Sequence, residues 1–399
     1  MFISKRSLAI PTSPIRKLAP IADRVEAEGR KIYHLNIGQP DISTPAGFYE
    51  GVKEFHPRVL AYGNSQGYAP LVKAIQDYYK DWNVDLDLKD IYITSGGSEA
   101  LSFAVETTCD PGDNILMFEP FYANYKSFTG AFNVEINGVP TSVENGYHLP
   151  DMATIEKYIN ERTHAIMLSN PGNPTGVIYT REEMDMLAKI AVKHDLVLIA
   201  DEAYREFVYD GEYTSFATLP ELNDNLVIID SVSKRYSACG ARIGCIITRN
   251  KDLQQEIYKC CQARLCCSDI VQSGAVGLYR TPQSYWDEVR KEYTKRRDTI
   301  KAALDAMPGV QSSDPKGAFY VMVKMPVDDM ENFAKWMLED FSIDNETVMV
   351  TPGSGFYASD MARGKDEARL AYILNCDDLK RAMYILAEGL KQYPGRTDR

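Results

Sequence analysis

The chain has 399 residues, 45% of them hydrophobic and 25% charged, with a formal net charge of -12. That length has room for two domains, or for one large α/β domain with a smaller satellite. The negative balance argues against nucleic acid, whose phosphate backbone needs a basic face, and no stretch comes near the roughly 20 apolar residues of a membrane span. Met1–Pro11 lacks the long apolar core of a secretory signal, so a cytoplasmic enzyme is the expectation.

The first forty or so residues are rich in proline and basic groups and are expected to pack against a second domain or a neighbouring subunit. Strand-like and helix-like segments then alternate. Asp90–Thr94 reads as a strand running through Ser95-Gly96-Gly97-Ser98 into a helix from Glu99 to about Thr108. Asp110-Pro111-Gly112-Asp113 is a turn, followed by the apolar strand Ile115–Phe118. His164–Leu168 is another strand, and Arg181 opens a helix with Met184, Leu187, Ala188 and Ala191 on one face.

Leu196–Ala200 and Leu226–Asp230 are nearly continuous apolar strands, as expected where helices cover both faces of a parallel sheet. Cys245–Thr248 follows too soon for a helical crossover and is expected to run antiparallel. From about Tyr285 a long charged helix leads to the strand-like Gly317–Val323, and the chain ends in a helix after Asp377. The expected fold is α/β, a three-layer, mostly parallel sheet with a smaller α+β domain. Residues 47–284 would form the large domain, and 1–46 with 285–399 the small domain and N-terminal arm.

Cys260, Cys261, Cys266 and Cys267 form two adjacent pairs in a segment that otherwise reads as helical. Structural zinc sites space their paired cysteines more widely, and no histidine is near, so reduced thiols and no metal site are expected.

The chemistry-bearing residues fall at the C-terminal ends of the strands, where open α/β sheets place ligands. Lys234 lies in Ser231-Val232-Ser233-Lys234-Arg235-Tyr236-Ser237-Ala238-Cys239-Gly240-Ala241-Arg242. An amine among hydroxyls, glycines and a second cation suits a tethered phosphorylated aldehyde, for which pyridoxal phosphate is the candidate. The glycines of Ser95–Glu99 let backbone N–H groups approach a phosphate. Asn170-Pro171-Gly172-Asn173-Pro174-Thr175-Gly176 is a tightly fixed loop in which Asn173 could hydrogen-bond a ring oxygen. Asp201-Glu202-Ala203-Tyr204 ends an apolar strand, as in a magnesium-binding ATPase, but no G-x-x-x-x-G-K-[ST] loop is present. Asp201 would instead face a pyridine nitrogen and keep it protonated, with Tyr204 in reach of the phenolic oxygen.

Taken with Gly96–Leu101 and Glu367-Ala368-Arg369-Leu370, these motifs resemble the fold-type-I pyridoxal-phosphate enzymes over almost the whole chain. Within them the chain is similar to the class I aminotransferases and their aspartate aminotransferase-like subgroup. The resemblance implies that Lys234 carries the cofactor as a Schiff base and later moves the substrate α-proton. It implies Asp201 on the pyridine nitrogen, Asn173 and Tyr204 on the phenolic oxygen, and Tyr122 stacked on the ring. Gly97, Ser98, Ser231 and Arg242 match the phosphate-binding set, and Tyr62 a tyrosine that reaches the phosphate from the partner of a homodimer. Arg369 matches the arginine that grips the substrate α-carboxylate, a role its fork geometry suits. Gly38 looks like the loop glycine that closes over substrate.

The implied activity is ping-pong transfer of an α-amino group from an L-amino acid to a 2-oxo acid, 2-oxoglutarate in the first instance. Aspartate is the leading donor. Ser13 stands where relatives recognise the aspartate side chain, but Ser98 stands where some of them carry a lysine; Arg16 and Lys17 are substitutes to consider. Tyr33, Tyr236 and Tyr357 could instead line a pocket for an aromatic or apolar side chain. A carbon–sulfur β-lyase on the same scaffold is the alternative activity.

Overall fold

The computed structural model describes residues 2–397. Thirteen strands follow in chain order: β1 (Lys31–His34), β2 (Ile91–Thr94), β3 (Asn114–Glu119), β4 (Glu135–Pro140), β5 (Thr163–Ser169), β6 (Val197–Asp201), β7 (Leu226–Ser231), β8 (Gly244–Ile247), β9 (Gln311–Ser312), β10 (Tyr320–Lys324), β11 (Glu346–Met349), β12 (Thr351–Pro352) and β13 (Glu367–Ala371).

Seven of them form one sheet in the order β2-β8-β7-β6-β5-β3-β4. All pairs are parallel except those of β8, which runs antiparallel to both β2 and β7, as its short connection requires. Alternation explains the apolar runs. In β6 and β7, Leu198, Ala200, Leu226 and Ile228 face one core, while Ile199, Val227 and Ile229 face another. Helices Ala69–Lys80 and Arg181–Lys193 cover the first face, and Gly97–Thr108 and Lys251–Arg264 the second. The helix at Arg181 starts where it does because Thr180 and Glu183 form a reciprocal capping box. The result is the three-layer α/β arrangement, with the parallel strands ending along one edge.

A second, four-stranded sheet has the order β12-β13-β10-β9, with β10 and β13 antiparallel and Met322 opposite Arg369. Its core takes side chains from helices Gln283–Asp305, Met330–Glu339 and Cys376–Gln392, together with Leu18, Ala22, Val25, Ile32 and Leu35 of the N-terminal segment. β1 also pairs in parallel with β11. The cysteine-rich segment departs from its helical reading. Its helix stops at Arg264, where Leu265 turns to φ 76°, so Cys266 and Cys267 sit in the bend that follows. All eight cysteines are free thiols.

Candidate active site

β7 ends at Ser231, whose side chain caps the short helix Val232–Arg235 by accepting from Ser233 N at 3.1 Å. This turn projects Lys234 back toward the strand edge. Its Nζ donates to the Gly38 carbonyl at 2.7 Å and lies 3.9 Å from Cys239 Sγ. Beneath it, buried Asp230 accepts from Ser231 N at 2.7 Å and from the Arg235 guanidinium, which pins the turn.

Asp201 ends β6 and is buried, accepting from the Tyr125 hydroxyl at 3.0 Å and from Ala203 N at 3.2 Å. No cation among the described residues lies within ion-pairing distance. Burial raises its carboxyl to about 6, with the Asp230 and Glu202 carboxylates adding to the effect and the two hydrogen bonds opposing it. Tyr204 is buried beside it, and burial holds its phenol well above the ordinary value. Asn173 Nδ2 donates to the Tyr204 oxygen at 3.4 Å, and the Tyr320 hydroxyl lies 2.9 Å from it.

Arg369, on β13, is only 1% exposed. Its Nη1 donates to Asn173 Oδ1 at 3.1 Å and its Nη2 to the Asn36 carbonyl at 2.7 Å, while Nε has no partner. The rings of Tyr320 and Phe356 stand 4.4 Å and 5.3 Å from the guanidinium carbon. Every acceptor is neutral, so a buried positive charge is left uncompensated.

A cavity of about 150 Å³ is lined by Lys234, Asp201, Tyr204 and Asn173, the last of which connects it to Arg369. Every cofactor residue named from the sequence lines it except Tyr62, whose ring is 81% exposed. Gly97 and Ser98 open helix Gly97–Thr108, whose N-terminus has no side-chain cap. A Cβ at Gly96 would collide with Arg242, which donates to the Ser95 and Cys239 carbonyls and so folds over this helix start. Tyr122 lines the opposite side. Its hydroxyl accepts from Asn124 Nδ2 at 2.9 Å, and burial pushes it up to about 12.

These residues fit pyridoxal phosphate. An uncapped helix start beside Arg242 suits a dianion. A buried carboxylate without a cation suits a protonated ring nitrogen, and Tyr204 with Asn173 suits the phenolic oxygen. When bound, the cofactor supplies an electron sink that lets a substrate α-proton leave.

The substrate side was harder to read from sequence. Ser13 lies outside the cavity lining and donates to Asn124 Oδ1 at 3.4 Å. Lys17 pairs with Glu331, which removes one substitute cation. Tyr33 donates to Glu346, Tyr236 packs on Trp286 and Tyr279, and Tyr357 donates to Glu367. Those three phenols therefore do not line the site. Sequence reasoning missed Tyr125, Tyr320 and Phe356. Tyr125 had a local signal, lying three residues after Tyr122 at a helix start; Tyr320 and Phe356 had none beyond their strand-like and turn-like surroundings.

A mostly parallel seven-stranded sheet with a lysine and an aspartate at its strand ends is the arrangement of a fold-type-I pyridoxal-phosphate enzyme. Within that class the chain belongs to the class I and II aminotransferases, whose family profile matches residues 30–383. It is similar to the aspartate aminotransferase of Pyrococcus horikoshii, 28% identical over 98% of this chain and 97% of that one. It is also similar to aromatic-amino-acid aminotransferase 2 of Thermococcus litoralis, at 29% identity over 98% and 99%. Among solved structures, the alanine aminotransferase from Pyrococcus furiosus superimposes with a TM-score of 0.89, 29% identity and coverage of 98% and 100%. The chain is thus a pyridoxal-phosphate-dependent aminotransferase. No described helix is long and apolar enough to cross a membrane.

Proposed function

We propose that the protein moves the α-amino group of an L-amino acid, aspartate first among them, to a 2-oxo acid, 2-oxoglutarate, by a ping-pong route. The observation that carries this reading is the placement of buried Arg369, without an anionic partner, against Asn173 and next to the Lys234 cavity. Arg369 takes the substrate α-carboxylate in place of its neutral acceptors. Lys234 tethers the cofactor and then moves the α-proton through its Nζ. Asp201 keeps the ring nitrogen protonated, Asn173 and Tyr204 hold the phenolic oxygen, and Tyr122 covers the ring face. Gly97, Ser98, Ser231 and Arg242 hold the phosphate.

In the same reading Tyr62 serves the partner's phosphate within a cytoplasmic homodimer, in keeping with its exposed ring. Gly38 closes over substrate, and Ser13 with Asn124 meets its side chain. The chain divides into residues 47–284 for the cofactor and 1–46 with 285–399 for the substrate side.

One observation favours a donor with an aromatic or apolar side chain as a second reading. Among the described residues, Lys234 and Arg242 are the only cations lining the cavity, and the rings of Tyr320 and Phe356 flank Arg369. A half-reaction screen with aspartate, phenylalanine and alanine, following loss of the cofactor's yellow absorbance, decides between them. The expected result is fastest bleaching by aspartate; bleaching by phenylalanine alone would give the second reading, and release of thiol, pyruvate and ammonia from an added S-alkylcysteine, without amine transfer, would make the enzyme a carbon–sulfur β-lyase. Borohydride should fix the cofactor to a peptide containing Lys234, and attachment to any other lysine overturns the assignment.

A further inference from the structure

Tyr320, the first residue of β10, is buried where the cofactor and substrate groups meet. Its hydroxyl lies 2.9 Å from that of Tyr204, and its ring lies 4.4 Å from the Arg369 guanidinium carbon. A Cβ at Gly38 would sit 1.7 Å from the same hydroxyl, so the N-terminal loop presses directly on it. Tyr204 and Arg369, which it touches together with Gly38, are both buried.

Counting protons gives the direction of the hydroxyl pair. Asn173 Nδ2 already donates to the Tyr204 oxygen. The single Tyr204 proton is committed to the phenolic oxygen of the cofactor once that is bound, so Tyr320 has to be the donor between the two hydroxyls. A hydroxyl that accepts hydrogen bonds is a stronger donor itself. On the other side, a planar guanidinium lying over a ring is held in one plane, which leaves its N–H edge free to meet a carboxylate.

We propose that Tyr320 is a positioning residue with two separable functions: its hydroxyl donates to Tyr204 and so strengthens the hold on the cofactor's phenolic oxygen, and its ring fixes the Arg369 guanidinium for the substrate carboxylate. This rests on the reading of Lys234, Asn173 and Tyr204 as cofactor residues.

The test uses holoenzyme carrying Tyr320→Phe or Tyr320→Leu, with three readouts: borohydride attachment of the cofactor, the pH midpoint of its absorbance change, and KM against kcat. A weaker Tyr204 donor leaves more charge on the phenolic oxygen, which then holds the proton on the Lys234 nitrogen more tightly. Tyr320→Phe should therefore raise the midpoint by about half a pH unit or more, the size of one lost neutral hydrogen bond, with KM for the amino acid within about twofold of wild type because the ring remains. Tyr320→Leu should show the same midpoint and raise KM about tenfold. A wild-type midpoint in Tyr320→Phe removes the first function, and equal KM values for the two variants remove the second. Failure of Lys234 to carry the cofactor in the wild-type protein would overturn the site assignment itself, an outcome visible before either variant is made.

Discussion

The two ends of the active site are built in opposite ways. At the cofactor end, Asp201 and Ser231 end strands of one sheet and Gly97, Asn173 and Lys234 follow such strands by a few residues, and the buried charge left without a partner is the Asp201 carboxylate. At the substrate end, Asn36, Gly38, Tyr320, Phe356 and Arg369 come from distant parts of the chain, and the uncompensated buried charge is the Arg369 guanidinium. In the proposed reading each end thus offers a charge whose complement is a ligand group, a protonated ring nitrogen at one and a carboxylate at the other. Burial makes both demands strong, because an unpaired charge in a dry site is costly.

Removing the group that does chemistry at the cofactor end should have the largest effect. If Lys234 acts as proposed, Lys234→Ala should lower kcat by about ten-thousandfold or more, since it would delete both tether and general base. A competing dicarboxylate should still bind within a few-fold if the ends are independent; loss of that binding would mean that Lys234 also shapes the substrate end through Gly38. The converse change, Arg369→Gln, removes a charged hydrogen-bonding fork and should cost about a hundredfold in kcat/KM. Its cofactor midpoint should stay put, and a shift would show that Arg369 acts on the cofactor through Asn173.

The same contrast decides what the sequence makes visible. Parallel strands that end on one edge bring local strand-then-turn motifs together, so the residues that line the cavity, the sheet and the reversed β8 were all legible. Lys234 needed only its neighbours in the chain. The substrate end is assembled by β1–β11 and β10–β13 pairing, and nothing near Tyr320 announces that its hydroxyl reaches Tyr204. Tyr33, Tyr236 and Tyr357 failed as pocket residues for the same reason. Each meets a carboxylate or an aromatic neighbour elsewhere, fixed by packing that a linear chain does not display.

Asp201 offers a smaller test through pH. Its carboxyl is raised to about 6 in the folded protein, so the folded state holds this proton more tightly than the unfolded chain. Stability from this group is therefore gained as pH falls through 6 and lost as pH rises. In cofactor-free protein, wild type should gain about 1 kcal/mol over Asp201→Asn between pH 7 and pH 5. The Glu367 carboxyl, raised by burial to about 7, contributes in the same direction to both proteins and cancels in the comparison. Parallel stability curves for the two would mean that Asp201 is not the group titrating there.

The finest test concerns the one loop that touches both ends. The Asn36 carbonyl accepts from Arg369 and the Gly38 carbonyl from Lys234, while Gly38 itself abuts Tyr320. All three atoms nearest a Cβ at position 38 belong to Tyr320. Gly38→Ala must then displace either the ring or the loop, and overpacking of this kind costs a modest amount, which should appear as a rise in KM of about threefold to tenfold. The steric cause has a specific signature. In a Tyr320→Leu background the opposing ring is gone, so adding Gly38→Ala should raise KM no further. An additional increase in the double variant, equal to that in the single one, would place the cost in the loop backbone and separate the two ends of the site at Gly38.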